Sequence, residues 1–146
     1  YALFITMLSM AVSGAMSDYF GKLKMITFAA LGMLFCSLPV FILLSSPIFW
    51  QQMLALTLLG MIAGAIAGNA YIFVISLFTP EERFTGVSFS YNLGVALFGG
   101  TTGLIATWLV NKTGLSYAPA FYIMATSFVF LTVLYSMKKT LTQMIK

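Results

Sequence analysis

The sequence predicts an all-α membrane protein, a compact helical bundle of roughly five spans. Three observations predict it. The chain is 61% hydrophobic and only 7% charged, where a soluble domain carries about 25% charged residues. Residues 25–80, 84–111 and 113–137 contain no Asp, Glu, Lys or Arg. The segments between these stretches are short and carry turn chemistry, so neighbouring helices run antiparallel. A soluble fold of this size must wet its surface and could not hide so many apolar side chains. Lipid as solvent removes that conflict.

A helix needs about 20 apolar residues to cross the ~30 Å hydrocarbon core. The stretch 1–16 is a partial span, reaching only ~24 Å at ~1.5 Å per residue. Together with a first residue that is Tyr, this marks the chain as a fragment of a longer one. Ser13, Gly14 and Ala15 have the look of a cleavage site, but no positive segment precedes them, so a signal peptide is the weaker reading. A loop over 17–23 leads to a span at 25–45, bulky and apolar on every side and therefore an outer, lipid-touching helix. Ser45, Ser46, Pro47, Trp50, Gln51 and Gln52 form an interfacial hairpin.

The span at 52–78 carries Gly60, Gly64 and Gly68, two overlapping small-xxx-small steps that allow close helix packing. Asn69 lies well round from Gly60 and Gly64, near Ser76. An amide at membrane depth needs a partner, because an unpaired one costs about 1–3 kcal/mol. It either bonds a neighbouring helix or lines a water-filled cavity. Pro80, Glu81 and Glu82 suit the first turn of the next helix. That span, 86–110, gathers Ser88, Tyr91, Asn92, Val95, Gly99, Thr102 and Gly103 on one broad face at ~100° per residue. Leu93, Leu97, Leu104 and Trp108 oppose them. Both spans read as inner helices, with Gly99 and Gly103 as further packing positions. Gly114 is a helix stop and Pro119 a helix start, opening the outer span 118–137 and the tail 138–146.

Lys22, Lys24, Arg83, Lys138, Lys139 and Lys146 fall on one side of the membrane and Lys112 alone on the other. The positive-inside rule then puts the C-terminus in the cytoplasm. The net charge of +4 reports topology and not nucleic-acid binding. With no His and one Cys, there is no His relay, no disulfide within the chain and no Cys cluster for a metal. Cys36 reads as a small packing residue. No cofactor is expected. No nucleophile–base pair can be assembled, so the chain is not read as an enzyme.

Gly14, Ser17, Asp18, Gly21, Lys22 and Lys24 resemble the loop signature of the major facilitator superfamily, in its copy between the eighth and ninth helices. Tyr19 stands where that signature often has Arg. Arg83, Thr85, Gly86 and Ser88, followed by Tyr91, Asn92 and Phe98 to Gly100, resemble the metabolite:proton symporter branch. That branch includes proline/betaine, α-ketoglutarate, citrate and shikimate carriers. The resemblance implies the C-terminal part of a twelve-helix fold in the cell inner (plasma) membrane, working with an N-terminal half absent here. It also implies a small-molecule substrate, an osmolyte or organic acid, taken up with protons by alternating access. Substrate-cavity candidates are Asn69, Ser76, Ser88, Tyr91 and Asn92. Gly14, Asp18, Gly21, Lys22 and Arg83 would form a cytoplasmic gate. Two plainer roles stay open: Asp18 as a cap on the second span, and Arg83 as a positive-inside marker. A carrier of another branch (drug or sugar) and a structural membrane subunit are the alternatives.

Overall fold

In the computed structural model, which describes residues 1–79 and 81–144, five helices are long and apolar enough to cross a membrane. The first two, α1 (Ala2–Phe20) and α2 (Lys22–Leu44), are separated by Gly21 alone. Gly21 has φ +92°, a conformation glycine adopts without a Cβ penalty. The loop expected over 17–23 thus shrinks to one residue, because the Gly21 N–H bonds the Ser17 carbonyl at 3.0 Å and keeps 17–20 helical. At 19 residues, α1 is ~28 Å long, close to a full crossing.

The hairpin that follows is tied by two side-chain bonds. The Ser46 hydroxyl accepts the Ile48 N–H at 3.2 Å, and the Gln52 amide donates to the Ser46 carbonyl at 2.9 Å. Beyond it α3 (Phe49–Ser76) runs 28 residues. Glu82 then serves as the N-cap residue of α4 (Arg83–Gly94), so the two acidic residues precede the helix and do not form its first turn. Pro80, expected in that turn, lies outside the described residues. A π-helical segment, Val95–Gly99, joins α4 to α5 (Gly100–Thr113) in one continuous run. Gly114, left-handed at φ +70°, stops it with its N–H on the Val110 carbonyl at 2.8 Å. Pro119 opens α6 (Pro119–Met144), which carries on through most of the stretch expected as a tail; Lys146 lies outside the described residues.

The centre of the bundle is α3. Its glycine stripe faces α1 so closely that a Cβ on Gly68 would sit 2.7 Å from the Met10 carbonyl, and one on Gly64 2.7 Å from the Ser9 Cβ. Glycine lets the two backbones touch, and the Ser9 hydroxyl then reaches the Met61 carbonyl at 2.6 Å. On another side of α3, Phe73 packs with Ile26 of α2 and Leu134 of α6. So α2, expected as an outer helix, buries one face here and leaves Phe28 and Phe35 exposed on the other.

The run Arg83–Thr113 is the most open part of the chain. Read as an inner helix, it is the least covered of all within this chain, with Val87 its one buried residue. It meets the bundle near its two ends. The Phe78 ring lies over Gly86 at one end, and at the other α5 neighbours α6. Gly99 and Gly103 pack against no other helix among the described residues: an added Cβ at Gly103 meets open space, and one at Gly99 only Val95 of its own run.

Gly64→Leu should therefore force α1 off α3, and overpacking of this kind costs about 1–3 kcal/mol. Gly32→Ala, where nothing lies within 4 Å, should be neutral or stabilising. Thermal unfolding of the two variants in detergent, followed by size-exclusion chromatography, separates these outcomes.

Candidate functional site

Hydroxyls at membrane depth need a partner, and most of them here find one in their own helix. Thr6, Thr27, Thr57, Ser90, Thr107 and Thr113 each donate to the carbonyl four residues back. Thr101 and Thr102 do the same with Leu97 and Phe98. A helix that satisfies its hydroxyls internally can face lipid without cost, so such residues carry no demand for a ligand.

Against that background the exceptions stand out. Among the described residues no hydrogen bond reaches the side chains of Ser88 and Asn92, both exposed on α4. Tyr91, beside them, packs edge-on to Tyr71 of α3 with ring centroids 5.5 Å apart. Asn69 is 1% exposed; its amide donates to the Ala65 carbonyl at 2.7 Å while its Oδ1 has no partner among the described residues. The Ser76 hydroxyl is satisfied by the Phe73 carbonyl at 2.6 Å.

These five candidates do not share one cavity. Tyr71 faces α4, and Asn69, two residues earlier, points about 200° round the helix from it. The structure instead brings together Tyr71, Tyr91 and the open polar side of α4. Tyr71 was not among the sequence candidates. Its signal was available, as the one aromatic hydroxyl within 52–78, two residues after Asn69.

The gate candidates gather at one end of the bundle, where α1 ends and α2 and α4 begin. Asp18 sits exposed in the last turn of α1 and does not cap α2, whose N-cap is Gly21 with no side-chain bond. A carboxylate at a helix C-terminus is disfavoured by the dipole. Lys22 is half-buried and Arg83 exposed. Neither Asp18 nor Arg83 forms an ion pair among the described residues. Gly14 faces open space, and so does Gly21 at its positive φ. No group of acidic, Cys or His side chains that could hold a metal occurs among the described residues.

An apolar five-span bundle with these features matches transporters. An ectoine/proline transporter, ProP, of Corynebacterium glutamicum is 34% identical over 76% of this chain. The glycine betaine/proline/ectoine/pipecolic acid transporter OusA of Dickeya dadantii is 31% identical over 92% of it. The matched stretch lies in the C-terminal portion of these relatives. The chain belongs to the major facilitator superfamily, in its proline/betaine transporter-like branch. No family model and no solved structure matches. The chain spans about a quarter of the length of the major facilitator relatives it matches, 22% and 27% respectively. It forms a C-terminal part of the twelve-helix fold and is not an enzyme.

If the Tyr71–Tyr91 contact holds α4 to α3, the two rings should be energetically coupled. A double-mutant cycle with Tyr71→Ala and Tyr91→Ala should give a coupling of about 0.5–1.5 kcal/mol in thermal stability. Phe at either position should retain most of it.

Proposed function

We propose that this chain supplies the substrate-facing C-terminal helices of a proton-coupled transporter for a small osmolyte such as proline or betaine. The observation that carries the reading is the uncovered polar side of α4. Among the described residues Ser88 and Asn92 have no hydrogen-bond partner for their side chains, and Tyr91 flanks them. In a complete carrier such a side faces the other half across a midplane cavity. The names of the relatives favour a compact zwitterion as substrate.

Asn92 and Ser88 would offer polar contacts to the substrate and Tyr91 an aromatic wall. Asn69 and Ser76 would hold the packing behind that wall, with the free Oδ1 of Asn69 open to water or a neighbouring helix in one conformation. Alternating access would rock this half against the other. Asp18 and Arg83, both without an ion pair among the described residues, would exchange partners across the gate, with Gly14 and Gly21 giving way.

The same end carries Lys22, Lys24 and Lys138, while Lys112 stands at the opposite end. This supports a cytoplasmic C-terminus in the inner membrane. All three acidic residues lie at helix ends, so no carboxylate of this chain sits at midplane. The titrating group that couples protons would then belong to the other half.

The test is uptake of radiolabelled proline, betaine and α-ketoglutarate by cells expressing the full-length protein that carries this sequence, with and without a protonophore. Proline or betaine uptake that collapses with the proton gradient is expected. Uptake of none, from protein shown to be in the membrane, would overturn the reading. Asn92→Ala and Asp18→Asn should each lower uptake by about tenfold, which corresponds to ~1.4 kcal/mol. The Asn92 change should act mainly on KM and the Asp18 change mainly on the maximal rate.

A further inference from the structure

A groove of about 750 Å³ lies between α2 and α6, away from the polar side of α4. We propose that it holds an anionic phospholipid, with an acyl chain along its walls and the headgroup phosphate on Lys24 and Lys138. The proposal needs only that the chain spans a membrane and does not depend on the substrate.

Length comes first. The lining positions of α2 run from Leu23 to Leu34 and recur at helical spacing on one face. Lys24 and Leu34 are therefore ~15 Å apart along the axis, half of the ~30 Å hydrocarbon core. On α6, Phe128 and Lys138 are separated by the same rise. Because the two helices are antiparallel, both lysines stand at one mouth and Leu34 and Phe128 at the deep end. The groove is one leaflet long, basic at the surface and apolar below.

The chemistry within it points the same way. Leu31 and Leu131 line its middle. Its two threonines have their hydroxyl protons committed, Thr27 to the Leu23 carbonyl and Thr132 to the Val129 carbonyl, each at 2.7 Å. A soluble anion would use the mouth and leave the walls unfilled. A peptide segment would lay a row of backbone N–H and C=O groups against walls that are mostly leucine and phenylalanine. A lipid with a negative headgroup fits both ends, and basic sites between membrane helices recognise such headgroups.

The experiment places the polypeptide that carries this sequence in nanodiscs doped with a photoreactive acyl-chain phosphatidylglycerol, or with the matching phosphatidylcholine. Labelled peptides are then mapped by mass spectrometry. Labelling within 23–34 and 128–138 should favour phosphatidylglycerol at low salt, by about fivefold for each lysine. Lys24→Gln with Lys138→Gln should erase the preference while leaving labelling by phosphatidylcholine unchanged, and raised salt should erode it in the unaltered protein. Equal labelling by the two lipids in the unaltered protein would mean ordinary boundary lipid and would overturn the proposal. So would crosslinks from these peptides to a second copy of the protein in place of lipid. Uptake plays no part in the readout, so failure here leaves the transporter reading standing.

Discussion

The contact between α1 and α3 governs the rest of the bundle. In lipid, no hydrophobic effect pushes helices together, and association rests on dispersion and close backbone approach. Gly60, Gly64 and Gly68 remove the side chains that would hold α1 away, so Ser9 can reach a carbonyl on the far helix. With α1 seated on that stripe, α3 offers other sides to α2 and to α4. The core of Ile26, Phe73 and Leu134 then closes where α2, α3 and α6 meet. The contacts of α2 and α4 with α3 are thus made on the same helix that α1 packs against.

Most of the fold was legible because membrane helices announce themselves by length and by the absence of charge. The hairpin at Pro47, the stop at Gly114 and the start at Pro119 follow from residue chemistry alone. Gly21 was harder to read. A loop of several residues and a single left-handed glycine have the same local composition, and only the bond from Gly21 to Ser17 distinguishes them. The helical character of 138–144 was hard to read for a related reason, because lysines end the apolar run without ending the helix.

The candidate site was less legible, and the π-helical segment is one cause. Counting 100° per residue assumes a regular helix, yet Val95–Gly99 adds a residue to one turn. Beyond it every side chain is displaced by ~100° from where an unbroken count would put it. Ser88 and Asn92 therefore lie on a face that Gly99 and Gly103 do not simply continue. The other cause is that a polar face of α4 takes its meaning from what lies opposite. This chain holds about a quarter of the length of its relatives, and in the proposed reading the opposing wall belongs to the other half of the carrier.

The run Arg83–Thr113 is 31 residues long, which as a helix amounts to ~46 Å. The hydrocarbon core is only ~30 Å thick. Such a rod cannot stand upright and stay immersed; it leans, or its ends rise among the headgroups. Its angle is then geared to bilayer thickness, and a membrane that thins obliges the rod to lie flatter. The joint at Val95–Gly99 falls near its midpoint, where a lever of this kind is most easily bent.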